Sequence, residues 1–211
     1  MRSPRRTRAR SEDAQAELRA RILENGRRLF LDKGFDAVSL RAIASSVGLT
    51  PAALYTYFPS KLALLRAIWT TDLEELYERV RDCGAPTDLR RQLHVVVAHW
   101  LAHPDVFRVL FLIPDREPEN GRGKAEMAVR SLPARSLIRL LQRSVAARLP
   151  GVSRTRRRRE FEAMLSAVQG ILAFAILVPE YGWSPPAKLL DIQLDAFEAR
   201  WHGLAAGRSA T

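Results

Sequence analysis

Apolar and polar positions along this chain recur at helical intervals, and no stretch alternates with the period of two that a half-buried strand requires. Between residues 13 and 33, Leu18, Ile22, Leu29 and Phe30 mark the inner face of a first helix, which Gly34 ends. Leu40, Ile43, Ala44 and Val47 fall on one face of a second, two-turn helix opened by Ser39, a good N-cap. Gly48 suits a helix end, and Thr50-Pro51 supplies an N-cap followed by proline at the first helical position. A third short helix therefore starts there, with Leu54 and Phe58 inward. Pro59-Ser60 stops it and caps a fourth helix, whose apolar positions run from Leu64 and Leu65 through Ile68, Leu73 and Leu76 to Val80. That helix is long enough to leave one domain and enter the next.

After a break at residues 84–87, where Thr87 is the expected cap, a fifth helix carries Leu89, Leu93, Val96, Val97, Trp100 and Leu101 and ends at His103-Pro104. A sixth helix is expected over 105–112 and a polar loop over 114–123. Helix then resumes over 124–149, where Pro133 must kink it or start it afresh after Ser131. An eighth helix, 154–178, begins basic and becomes apolar nearly all round; a ninth, capped by Ser184, extends to Leu204. In the eighth, Leu165, Val168, Gly170, Ile171, Leu172, Phe174, Ala175 and Ile176 cover more than one face. One face must pack within its own domain and another against something outside it, and a twofold partner is the economical answer.

Composition narrows the partners without choosing one. The chain has 211 residues, a hydrophobic content of 47%, a net charge of +11 and a pI near 10.9. That balance favours DNA, RNA or an anionic membrane alike. Residues 1–61 hold twelve Lys or Arg against six Asp or Glu, and residues 1–10 alone read as a disordered basic arm that can lie along phosphates. The single Cys83 excludes an intrachain disulfide and a cysteine-built zinc site and fits a reducing compartment. The basic residues 1–10 are followed by no apolar region, so no signal peptide is expected. The apolar run 163–178 is shorter than a typical membrane span of about 20 residues, and a cytoplasmic protein is expected.

Two short helices meeting at a tight turn over residues 39–61, the second presenting small and hydrogen-bonding side chains outward, read as a DNA-binding helix-turn-helix. The stretch VSLRAIASSVGLTPAALYTYFPSKLALL, preceded by LFLDKGFDAVS, resembles the N-terminal domain of the TetR family of bacterial transcriptional regulators. Gly34-Phe35, Gly48, Leu54-Tyr55, Tyr57-Phe58 and Ser60-Lys61 carry the resemblance, which covers residues 16–69. It implies an all-α protein with a helix-turn-helix domain over 11–61, a ligand-binding and dimerisation domain over 62–211, and a homodimer through helices 8 and 9. It also implies that Arg41, Pro51, Ala52, Ala53 and Tyr55 meet base edges of a palindromic DNA operator, while Ser39, Thr50, Thr56, Tyr57 and Lys61 hold phosphates. The chain departs from many relatives in having no charged residue from Thr50 to Phe58, which leaves Arg41 as the obvious reader of guanine.

The resemblance further implies an effector pocket in the second domain. Trp100, Phe107, Phe111, Met164 and Phe174 lie on helices that should surround one interior, so an apolar or aromatic small molecule is the expected guest, although ordinary core packing accounts for such residues as well. His99 and His103, four apart, share a helix face at the spacing of metal ligands. Without an intervening HExxH glutamate or a nearby cysteine they read as polar residues at a helix end, and no metal or cofactor is expected. The arginines of 154–159 read as a solvated surface. Nucleophile elbows, phosphate loops and paired carboxylates are missing, so the reading is a DNA-binding regulator, most simply a repressor, and not an enzyme. A general DNA-coating protein and an unrecognised enzyme remain as alternatives from other classes.

Overall fold

The computed structural model describes residues 4–35, 37–112 and 131–206. Among them the secondary structure is helical: α1 (Pro4–Lys33), α2 (Leu40–Ser46), α3 (Pro51–Tyr57), α4 (Lys61–Asp82), α5 (Leu89–Ala102), α6 (Pro104–Phe107), α7 (Leu132–Arg148), α8 (Arg154–Leu177) and α9 (Pro186–Ala206). The chain divides into two compact units, with the change between Thr71 and Asp72, inside α4.

In the first unit α1 packs on α2 and α2 on α3. Ile22, Phe30, Ile43, Ala44, Leu54, Phe58 and Leu64 are buried, so the faces expected from periodicity form the core, while Leu18 and Leu29 are only half-buried. Gly26 allows α1 and α4 to touch: a Cβ there would stand 3.0 Å from Leu64 Cδ2. The helix α1 begins well upstream of the expected residue 13, taking in most of the supposed irregular arm. Proline at a first helical position and the strong helix propensity of arginine and alanine explain the extension.

In the second unit α5, α7, α8 and α9 pack on one another. Leu93, Val97, Leu141, Val145, Met164, Val168, Leu172 and Leu194 supply buried apolar surface from all four. Polar knots fix their register. Ser144 Oγ donates to Gln92 Oε1 at 2.6 Å, and Gln92 Nε2 donates to the Pro86 carbonyl at 3.0 Å. Arg90 bridges to Asp191 at 2.8 Å and Asp195 at 2.6 Å on α9. Glu160, fully buried on α8, accepts from Arg156 at 3.1 Å, Arg200 at 2.7 Å and Trp201 Nε1 at 3.1 Å. Burial works against its charge, but these three donors outweigh it and hold the carboxyl below the usual glutamate range.

Several expectations need correction. The cap of α5 is Asp88, whose Oδ1 accepts from Arg91 N at 3.1 Å, instead of Thr87; a carboxylate is the stronger acceptor at a helix start. The sixth helix is α-helical only through Phe107 and continues as a π-turn over Arg108–Leu112. Of the two outcomes open at Pro133 the helix starts afresh: α7 begins at Leu132 with Ser131 as cap and Pro133 in its first turn, while the loop 114–123 and residues 124–130 lie outside the described residues. The helix α9 begins at Pro186, and the Pro185 carbonyl accepts from Lys188 N and Leu189 N. At 24 residues α8 is long and apolar enough by length and composition to cross a membrane, because it starts upstream of the apolar run. Its stripe Phe161, Met164, Val168, Leu172 and Ile176 is buried within the unit, as in a core helix.

Candidate nucleic-acid interface

Three side-chain caps hold the helix-turn-helix in place. Ser39 Oγ accepts from Ala42 N at 3.2 Å, Thr50 Oγ1 from Ala53 N at 3.2 Å, and Ser60 Oγ from Ala63 N at 3.0 Å. A cap of this kind stabilises its helix by about 1 kcal/mol, and each capping hydroxyl keeps its own proton for donation elsewhere. Gly48, at φ 71°, turns the chain between α2 and α3 in a conformation that only glycine adopts without strain, and Leu49 N returns to the Ala44 carbonyl at 2.9 Å. Leu54, fully buried, anchors α3 by its inner face.

The outer face follows from that anchoring. Ala52, Tyr55 and Thr56 are exposed on α3, Pro51, Ala53 and Tyr57 are half-buried, and Arg41 is exposed on α2. No Asp or Glu occurs between residues 37 and 61, so α2, α3 and the turn between them bring no carboxylate of their own to repel a phosphate. Two of the expected phosphate ligands already donate elsewhere. Thr56 Oγ1 donates to the Ala53 carbonyl at 2.7 Å, so its proton must leave that bond to serve a phosphate. Lys61 Nζ donates to the Phe35 carbonyl at 2.8 Å and stands 4.3 Å from the Phe35 ring centroid, bracing the connection that follows α1. Spacing alone does not reveal this second duty, which depends on a contact 26 residues away.

The expected effector residues are only partly brought together. Trp100 and Phe107 are buried, Phe111 is half-buried, and their ring centroids lie 5.0 to 5.8 Å apart in an edge-on and tilted cluster. Met164 is buried on the inner stripe of α8. Phe174 does not join them. It sits halfway between the buried Leu172 and Ile176, which turns it to the opposite side of α8, where it is 55% exposed and packs on Trp183 at 5.1 Å. There Gly170, Ile171 and Phe174 of α8 and Leu189 and Ile192 of α9, with Trp183 between the helices, line an apolar surface groove of about 270 Å³. Ile192 is 63% exposed. Cys83 is half-buried, its Sγ contacting the Val80 carbonyl at 3.2 Å. Trp201, near the expected helix end, is buried as a donor to Glu160.

Residues 22–68 match the sequence profile of bacterial regulatory proteins, tetR family. The HTH-type transcriptional regulator Rv1816 of Mycobacterium tuberculosis is 41% identical over 73 residues, which is 33% of this chain and 31% of that protein. The HTH-type transcriptional regulator UidR of Escherichia coli is 41% identical over 64 residues, 30% of this chain and 33% of that protein. The match thus spans about a third of the length of these curated relatives. Solved structures extend the likeness to the whole fold. SCO4313 superposes with a TM-score of 0.73 at 20% identity, covering 88% of this chain and 97% of that one. A tetR-family transcriptional regulator from Streptomyces coelicolor superposes with a TM-score of 0.60 at 19% identity, covering 92% and 83%. The capped helices α2 and α3 lie within the matched stretch, so residues 22–68 form a helix-turn-helix domain of the tetR-family type, on a chain that shares the all-helical fold of these solved structures.

Proposed function

We propose that the protein binds a palindromic operator in double-stranded DNA as a homodimer, represses transcription in the cytoplasm, and leaves its operator when a small apolar or aromatic molecule binds the second unit. The observation that carries the DNA reading is the acid-free surface of α2 and α3, with Arg41, Ala52, Tyr55 and Thr56 exposed between three capped helix starts. Arg41 offers the bidentate fork suited to guanine, and Ala52 and Ala53 suit thymine methyls. Ser39, Thr50, Thr56, Tyr57 and Lys61 flank them as phosphate ligands. The apolar groove on α8 and α9 supports a second copy of the chain as its occupant, since two reading heads on adjacent major grooves need a fixed pair. The cluster of Trp100, Phe107 and Phe111 with buried Met164 supports an apolar guest for the second unit.

The test is selection of bound sequences from a random DNA pool in the presence of excess nonspecific competitor, followed by affinity measurement for Arg41→Ala. The variant should lose about 1 to 3 kcal/mol on the selected site and relax one base position, with little change on random DNA. Equal losses on both, or no enriched sequence, would refute sequence reading and leave a general DNA-coating protein.

A further inference from the structure

We propose that Glu75, His99 and His103 form a site for one divalent cation of the zinc, cobalt or nickel type, a proposal that does not rest on the apolar effector reading although His99 packs beside Trp100 of that cluster. The two imidazoles lie one turn apart at the end of α5, with ring centroids 4.6 Å apart and planes inclined by 43°. Glu75 reaches them from α4, and one ligand atom from each of the three residues lies within 4.8 Å of the others. Donors at tetrahedral zinc stand about 2.0 to 2.2 Å from the ion, so they must close somewhat further. Glu75 is exposed and His103 half-buried, so both have the torsional freedom to do so, while His99 is fully buried against the edge of Trp100 at 5.2 Å and acts as the fixed anchor. Two imidazole nitrogens and one carboxylate oxygen favour borderline first-row ions over magnesium or calcium, which prefer oxygen throughout. Exposure of Glu75 provides the route from solvent and leaves room for water as a fourth ligand.

Arg79, one turn beyond Glu75 on α4, places Nη1 3.4 Å from His99 Nδ1. A guanidinium can only donate, so in this contact Nδ1 accepts and the ring proton resides on Nε2. If the cation binds Nδ1, it takes the lone pair that Arg79 uses. If it binds Nε2, the ring proton moves to Nδ1, which then repels the same donor. Either way, loading the site evicts Arg79, so a built-in cation competes with the incoming one. The bound ion would tie α4 to α5 within the second unit.

The experiment uses the full chain without a polyhistidine tag, stripped with a chelator and titrated with Co2+ for its visible absorption, then with Zn2+ against a chromogenic competitor. One equivalent per chain is expected, with a Co2+ spectrum of low coordination number. Glu75→Gln and His103→Ala, both at accessible positions, should each weaken binding by about tenfold or more. Arg79→Met should tighten it several-fold, and His202→Ala, on the exposed end of α9, should leave it unchanged. Absence of stoichiometric binding, or Glu75→Gln and His103→Ala variants that bind like the parent, would overturn the site; weaker binding by Arg79→Met would overturn the displacement of Arg79.

Discussion

Lys61→Met tests whether one side chain both braces the reading heads and holds DNA. Methionine keeps most of the aliphatic stem and removes only the ammonium, so the loss reports the charged contacts. One is the 2.8 Å hydrogen bond to the Phe35 carbonyl, the other the placement 4.3 Å from the Phe35 ring. A hydrogen bond from a charged donor contributes about 1.5 to 3 kcal/mol, with half-burial placing it at the lower end, and an accessible cation–π contact adds about 0.5 to 1 kcal/mol. The variant should therefore lose about 2 kcal/mol of local stability, read as faster hydrogen exchange in α1 and α2, where an ordinary surface lysine would change stability by less than about 0.5 kcal/mol. On DNA the same variant should weaken every sequence alike and lower the slope of log affinity against log salt by about 0.9, the contribution of one phosphate. Unchanged exchange would refute the brace. An unchanged salt slope would refute the phosphate contact.

Gly170→Arg addresses the twofold partner: a Cβ at Gly170 meets no atom within 4 Å, so the monomer should accept the side chain and gain helix propensity, while a dimer through the α8–α9 groove should dissociate in ultracentrifugation and lose operator affinity. A dimer that persists in that variant would move the interface elsewhere. Glu160→Gln should cost about 2 kcal/mol in denaturant unfolding by weakening the contacts to Arg156, Arg200 and Trp201. Because the folded carboxyl titrates below its unfolded value, this contribution is present at neutral pH and disappears on acidification through and below the ordinary glutamate range; the variant should therefore show a flatter acid limb. Apolar compounds that raise the melting temperature should lower operator affinity by about 1 to 3 kcal/mol of coupling, and a broad set of binders that leaves operator affinity unchanged would remove the proposed switch.

The first unit was legible because its boundaries are written locally. Ser39, Thr50-Pro51 and Ser60 announce helix starts through their own side chains, Gly48 announces a turn through its backbone freedom, and Ile43 and Leu54 share their burial with neighbours close in sequence. The second unit was legible as helices but not as an arrangement. Periodicity in α8 marks apolar residues on both sides, and nothing local tells which side, that of Phe174 or that of Leu172 and Ile176, is buried within the unit. The same limit hid Glu75 from His99 and His103, and Glu160 from Arg200 and Trp201, because each group is completed by a residue from another helix. Asp88 displaced Thr87 as cap where two adjacent residues were both competent and only the closing geometry chose.

The face of α3 proposed to read DNA has short reach at its first turn. Pro51, Ala52 and Ala53 extend hardly beyond the helix surface, so any base they meet must come almost to the backbone. On the proposed reading, this first turn recognises by fit against a groove floor, and reach across a gap is left to Arg41 and Tyr55. Enlargement on either side of that contact then becomes equivalent: a leucine at Ala52 and a bulky substituent on the opposing base would each hold the helix away from the groove, and a smaller base edge would leave a void that none of these three side chains is long enough to fill.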